Sequence, residues 1–479
     1  KAFNMVERVY QTHFLAGGGL LVRENITSQS VLFESGFVKP ILAAFDQPAS
    51  SSDGGALLLK LADDRLRLTT AVAGALPDER EAGKVKHSLL NVIQQRVMGI
   101  GNGYEDANDA SRLRGDPTHQ LLLGRAPGAG SELASQPTIS RLENAFGEEQ
   151  VRAAVNAFTC AVLNRHRRRL RKKAKRIIID VDATWDDAHG EQQGALFNSF
   201  YRNHGFLPLL AFAQFDDENE QYLLAALLRP GNAGNDEVMS FLVGVIEQVR
   251  RRFPTAELTL RADAGFALPA VFEYLDDHQV RYAIGMGSSS VLKAYAAPGM
   301  QIARALSEAS GDSERVYVDE QYQTQKSWPH SRRVIIKAEV TRYPGRTPRD
   351  NARFVITDLA GSADFIYESV YSRRGDVENR IKELKGAIRM DRTSCTSFAA
   401  NQLRVLLHAV AFALYQEIRL AAAGTSFATA QVATIRERLI KLGAWFKTTT
   451  RRIVIHLPET APWRGEWVTI AGRLAAPPT

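Results

Sequence analysis

RIIIDVDAT, Arg176–Thr184, decides the fold. Its apolar run is the length of one buried strand, and it closes on acids rather than on a turn. Asp180 and Asp182 are two residues apart, so they share one face of that strand. Just before it lies RHRRRLRKKAKR, Arg165–Arg176, with nine Lys or Arg and no acid. Such a run suits a polyanion such as nucleic acid, with Arg168, Arg169, Arg171 and Lys172 as contacts. A solvated helix face ahead of the strand is the alternative.

Downstream, LPLLAFAQFD (Leu207–Asp216) and QYLLAALLRP (Gln221–Pro230) read as two more strands, joined by the turn DENE. The three form an antiparallel meander. A helix follows over Asn235–Phe253, then the strand ELTLRAD (Glu257–Asp263), a short helix over Leu268–Leu275 and the strand VRYAIGM (Val280–Met286). The order β-β-β-α-β-α-β predicts an α/β fold, an RNase H-like mixed sheet with helices on both faces. In that order the first and fourth strands lie side by side, which makes Asp182 and Asp263 neighbours.

The second decisive stretch is YSRRGDVENRIKELK, Tyr371–Lys385. On a uniform helix, Tyr371, Arg374, Glu378 and Lys385 fall within a stripe about 60° wide, beside an apolar flank of Val377, Ile381 and Leu384. A helix crossing the two acid-bearing strands brings Glu378 to Asp182 and Asp263. Three carboxylates suit a pair of divalent ions, which take oxygen ligands. For each acid alone, a strand-end or helix-surface role is the alternative.

Elsewhere the chain is helical from Ala56 to about Val162, and the segment 290–360 reads as β-rich. The expected division is 1–55 irregular or strand-like; 56–175 a mainly helical DNA-binding region ending in the basic run; 176–289 and 361–424 the two parts of the catalytic core; 290–360 a β-rich insertion; and 425–479 a C-terminal region. Within Ala134–Phe146, Thr138, Ser140 and Arg141 are placed to enter a DNA groove, with ordinary helix packing as the alternative. The insertion carries Trp328, Arg332 and Arg333. Trp328 either stacks on an extruded base or packs beneath a hairpin. His189 follows the first strand and either approaches a phosphate or bonds a backbone carbonyl.

At 45% apolar and 24% charged over 479 residues, the chain has the composition of a globular protein of several domains. Its two cysteines, Cys160 and Cys395, lie far apart and form no zinc spacing, as expected for a reducing cytoplasm. The longest apolar run, Val405–Tyr415, is short for a membrane span, and the first residues lack the pattern of a secretory signal.

The spacing Tyr371-x2-Arg374-x3-Glu378-x6-Lys385 resembles the YREK signature of bacterial insertion-sequence DDE transposases. DVDAT and RADAGF resemble the blocks around that family's first two acids, over roughly Ile177–Leu420. The resemblance implies Asp182, Asp263 and Glu378 as catalytic metal ligands for two Mg²⁺ ions, with Mn²⁺ able to substitute. Asp180 is the rival first ligand; Thr184 following Asp182 favours Asp182. It further implies Tyr371, Arg374 and Lys385 on DNA phosphates, terminal-repeat and target duplexes as partners, a homodimer on paired ends, a nucleoid location and no membrane. The competing functions are an RNase H-like nuclease that does not join strands, and a non-catalytic DNA-binding derivative.

Overall fold

The computed structural model describes residues 30–33, 38–39, 41–128, 131–188, 190–324 and 327–477. Residues 1–29 and His189 therefore lie outside the described residues.

Strands β1 (Ser30–Phe33) and β2 (Ile41–Ala44) pair with each other, and β3 (Ser50–Ser51) leads into a helical region. Its long members are Leu57–Leu66, Leu89–Asn102 and Glu148–Arg169. Ser88 caps the second through its side chain, accepting from the Asn91 N–H. The basic run forms the end of the third and the tight turn after it, where Arg171 and Lys172 are left-handed.

Strand β4 (Arg176–Ala183) opens the main sheet. A three-stranded ribbon follows: β5 (Asp186–Asp187), β6 (Leu196–Asn198) and β7 (Asn203–Phe206), in the order β5-β7-β6. The main sheet continues with β8 (Leu209–Phe215), β9 (Tyr222–Leu227), β10 (Glu257–Ala262), β11 (Arg281–Met286), β12 (Glu314–Tyr322), β13 (Arg332–Thr341) and β14 (Arg349–Thr357). Its order is β12-β13-β14-β11-β10-β4-β8-β9. The expected meander is present: β4 pairs antiparallel with β8, and β8 with β9. Strand β10 runs parallel to β4, with Leu260 opposite Ile179 and Ala262 opposite Val181. Every residue of β8 is buried, so both faces of the sheet are covered there, which is why LLAFAQF shows no alternation.

Two expectations change. The segment after β11 begins with a long helix, Ser290–Ser310, that the β reading missed. Pro298 and Gly299 inside it look like loop punctuation in the sequence. Gly299 instead faces the sheet, where a Cβ would stand 2.7 Å from Val318 and 3.1 Å from Ala338. The three strands after it extend the main sheet, because β14 pairs antiparallel with β11.

The apolar run at Val405–Tyr415 sits inside a 24-residue helix, Phe398–Ala421. By length and composition this helix is sufficient to cross a membrane, yet 94% of its most apolar stretch is buried within the protein. It packs on β9 and on the Leu57–Leu66, Leu89–Asn102 and Glu148–Arg169 helices. Beyond it, β15 (Ala444–Thr448) pairs with both β16 (Ile453–His456) and β3. Asp53 ties this union: it meets His119 Nε2 at 2.9 Å and Lys441 Nζ at 2.8 Å.

Candidate active site

The acids stand where β4 and β10 end side by side. Asp180, one residue pair deeper in the sheet, is fully buried. The Arg261 guanidinium grips both its oxygens at 2.7 Å, and Gln221 donates to it at 3.0 Å. Arg261 also donates to the Val370 carbonyl at 2.9 Å, fastening β10 to the segment that leads into the Tyr371–Lys385 stretch. Asp180 is thus consumed by a structural ion pair, whereas Asp182, on the same strand face, is directed to the strand end.

Asp182 is 8% exposed and accepts from the Ala183 N–H at 3.0 Å. Burial pushes its carboxyl up to about 6 against the pull of Arg374, and the charges of Asp263 and Glu378 add to the rise. Asp263 follows β10 directly and caps the Ala264–Phe266 turn, accepting from the Gly265 N–H at 2.9 Å. Glu378 lies in the first turn of the Gly375–Gly386 helix with its side chain half exposed. Arg374 bridges the two carboxylates that come from different elements: Nη1 is 3.0 Å from Asp182 Oδ2 and Nη2 is 3.5 Å from Glu378 Oε1.

The stretch is not one uniform helix. A π-helical turn, Phe365–Tyr371, runs into a tight 3₁₀ turn, Ser372–Arg374, and only then into the Gly375–Gly386 helix. These changes of pitch fan the stripe out. Tyr371 points to Gly285, where a Cβ would lie 2.5 Å from its hydroxyl. Burial raises its phenol, with Asp263 adding and Arg374 opposing. Lys385 instead donates to the Trp185 carbonyl and pairs with Asp186 at 3.4 Å. Asp186 is fully buried, and burial pushes it up to about 7 against Lys385.

Among the described residues, no group of three or more His, Cys, Asp or Glu side chains is drawn together closely enough to hold a metal ion. The Arg374 guanidinium already neutralises part of the cluster. The donor chemistry nonetheless fits a hard divalent cation, which takes carboxylate oxygens as ligands, and the charges of Asp263 and Glu378 both act on Asp182.

The other sequence-derived contacts divide sharply. Trp328 is 7% exposed and sits among Phe272 at 5.4 Å, Tyr322 at 5.6 Å and the Arg332 guanidinium at 5.7 Å. The ring is thus packed among these side chains, the alternative that the sequence offered beside base stacking. Arg332 is equally buried, bonded to Tyr282 Oη at 2.7 Å and Asp276 at 2.6 Å. Arg333 is held by Asp319 and by the Leu359 and Gly361 carbonyls. In the basic run, Arg165 pairs with Glu417 and Arg169 with Glu218, while Arg168, Arg171 and Lys172 are exposed. Arg141 is exposed and lines a cavity of about 820 Å³ that also holds Arg80, Lys86 and Arg114. Sequence reasoning missed that groove. It also missed an aromatic cluster beside Asp182, whose signal was the aromatic density of LFNSFYRNHGF.

In this mixed sheet Asp182, near the end of β4, and Asp263, just beyond β10, stand at the same end of two paired parallel strands. The chain belongs to the transposase DDE domain group 1 family, which it matches over residues 33–479. No curated protein matches the sequence. Among solved structures it is similar to a piggyBac transposase synaptic complex with hairpin DNA, at 9% identity and a TM-score of 0.41, over 88% of this chain and 82% of that one.

Proposed function

We propose that this transposase binds the ends of a mobile element, cleaves DNA there and joins the freed 3′-hydroxyls to target DNA. The observation that carries the reading is that Asp182, near the end of β4, and Asp263, just beyond β10, stand at the same end of two paired parallel strands, with Glu378 tied to Asp182 through Arg374. The order β9-β8-β4-β10-β11 supports an RNase H-like core, and the Tyr-Arg-Glu-Lys spacing supports a bacterial insertion-sequence origin. Asp182, Asp263 and Glu378 would hold two divalent ions, Mg²⁺ with Mn²⁺ as substitute. Bound there, the ions supply nucleophile activation and charge stabilisation for phosphodiester cleavage and transfer.

The chain's own residues do the positioning. Arg374, once released from the carboxylates, presents a planar fork to a phosphate, which suits bidentate binding. Tyr371 offers a hydroxyl beside it. Lys385 braces the strand end that carries Asp182 by holding the Trp185 carbonyl. Arg168, Arg171, Lys172 and Arg141 are free to meet the DNA backbone, so binding weakens steeply with salt. Two copies on paired ends, acting at the nucleoid in the cytoplasm, complete the proposal.

The test is a strand-transfer assay with element-end duplex and Mg²⁺ or Mn²⁺. Joined product separates a transposase from a nuclease that only cuts. Glu378→Gln is expected to retain end binding and lose cutting by several orders of magnitude. Cleavage at the wild-type rate by that variant would overturn the assignment of Glu378, and binding without cutting by the wild type would favour a non-catalytic protein.

A further inference from the structure

The β5-β7-β6 ribbon leaves the main sheet immediately after Asp182 and displays aromatic side chains. Trp185 and Tyr201 stack with ring centroids 4.7 Å apart and planes 14° from parallel. Phe200 meets Tyr201 edge-on at 5.0 Å and is 84% exposed, while Tyr201 is 40% exposed. A contiguous exposed group of large rings, unlike a single exposed one, is a mark of an interaction site.

The cluster is built rather than loose. The Trp185 indole N–H donates to Asp187 Oδ1 at 2.8 Å, and Asn203 donates to the same oxygen at 2.8 Å. Asn198 Oδ1 accepts from the N–H groups of Phe200 at 2.9 Å and Tyr201 at 3.2 Å, which fixes the turn. Gly205 lets the indole lie flat on β7, since a Cβ there would stand 2.7 Å from Trp185 Cζ2.

Two links join this platform to the carboxylates. Trp185 is three residues beyond Asp182, and Lys385, on the helix that carries Glu378, donates to its carbonyl. At the tip, Arg202 is exposed, left-handed and without an ion pair among the described residues. Stacked rings beside an unpaired cation match a nucleotide, which offers a π-face and a phosphate together.

We propose that Trp185, Phe200 and Tyr201 form a stacking platform for an unpaired base of the DNA strand processed at the Asp182–Asp263 end of the sheet, with Arg202 on its phosphate. The platform deepens the transposase reading above and rests on it for the identity of the strand.

The experiment compares a fluorescently labelled duplex bearing a single-stranded overhang with the fully paired duplex, by anisotropy in Ca²⁺. A 2-aminopurine in the overhang reports stacking. The wild type is expected to bind the overhang form roughly 5- to 150-fold more tightly and to quench the 2-aminopurine. Phe200→Ala, at an exposed tip where folding is not at stake, and Tyr201→Ala should lose most of both effects. Tyr201→Phe should keep them. Retention of preference and quenching by both alanine variants overturns the proposal. So does conversion of a dimer to monomer by Phe200→Ala with DNA preference unchanged, which would make the tip a subunit contact. A wild type that cuts and joins element ends without any overhang preference sinks the platform alone. Overhang preference without any cutting sinks the transposase reading and leaves the platform standing.

Discussion

Arg374 Nη1 stands 3.0 Å from Asp182 Oδ2, and through its other terminal nitrogen the same guanidinium reaches Glu378 at 3.5 Å. A cation therefore already occupies the electrostatic centre of the carboxylate cluster, supplied by the chain itself. It also lies four residues before one of the acids it neutralises, so the helix that brings Glu378 brings its counter-charge.

Replacing Arg374 by Gln should destabilise the free protein by about 1–3 kcal/mol near neutral pH, because the pair is largely buried and its acids lose their countercharge. Acid should relieve that loss, since protonated carboxyls no longer repel. Divalent ions should bind several-fold more tightly once the competing guanidinium is gone. Thermal unfolding against pH and calorimetry with Mn²⁺ check the three parts. Unchanged ion affinity would mean that Arg374 does not compete for the carboxylates.

Asp182 has a folded value of about 6 against an ordinary 3.8. The folded state therefore holds this proton more tightly than the unfolded chain. The sign follows: this group's contribution to stability falls as pH rises between those two values, and the native carboxylate is a liability above them. Asp182→Asn should be more stable than the wild type near pH 8 by about 3 kcal/mol, and no more stable near pH 4. Urea unfolding at both conditions measures it.

Asp180 behaves oppositely. Removing it leaves the Arg261 guanidinium, 1% exposed, without its partner. Asp180→Ala should cost about 3–5 kcal/mol of stability, whereas Asp182→Asn should fold normally and lose activity. Equal stabilities for the two variants would contradict the division of roles between these acids.

Gly285 and Tyr371 form a second coupled pair. Gly285→Ala drives a methyl towards the Tyr371 hydroxyl, and towards the Ala264 backbone nitrogen at 3.2 Å. A loss of about 1–3 kcal/mol is expected. Adding Tyr371→Phe should recover part of it by removing the oxygen. A double-mutant cycle on unfolding free energy gives the coupling, which should be clearly non-zero.

His408, in the core of the Phe398–Ala421 helix, bonds the Arg404 carbonyl at 2.7 Å through Nδ1, while its buried Nε2 has no hydrogen-bond partner among the described residues. Burial pushes its value down to about 3 from 6.5, with Arg96 adding. The unfolded chain then takes up a proton that the native state refuses. Stability should fall below pH 6.5 by about 1.4 kcal/mol per unit from this residue, and His408→Gln should flatten that slope.

The strands of the core were legible because strand signals are local. RIIIDVDAT, LPLLAFAQFD and ELTLRAD each carry an apolar run of the right length, and the order of elements constrained which runs could be neighbours. The Ser290–Ser310 helix was missed because Pro298 and Gly299 resemble a break, and only the closeness of β12 and β13 explains the glycine. The stripe of Tyr371, Arg374, Glu378 and Lys385 was visible as spacing, but a uniform helical pitch could not show that a π turn and a 3₁₀ turn send its ends to Gly285 and Asp186.

By itself, then, the chain's order of residues determined the central strands, their acidic ends and the apolar flank of the helix that follows. These depend on periodicity within a few positions. Only the tertiary structure decided what each charge does. Arg261 neutralises Asp180, Arg374 lies between Asp182 and Glu378, and Trp328 and Arg332 are enclosed while Phe200 and Tyr201 remain open. The physical reason is that a side chain's charge state and availability are set by neighbours tens to hundreds of positions away, brought within a few ångströms by packing that no local pattern encodes.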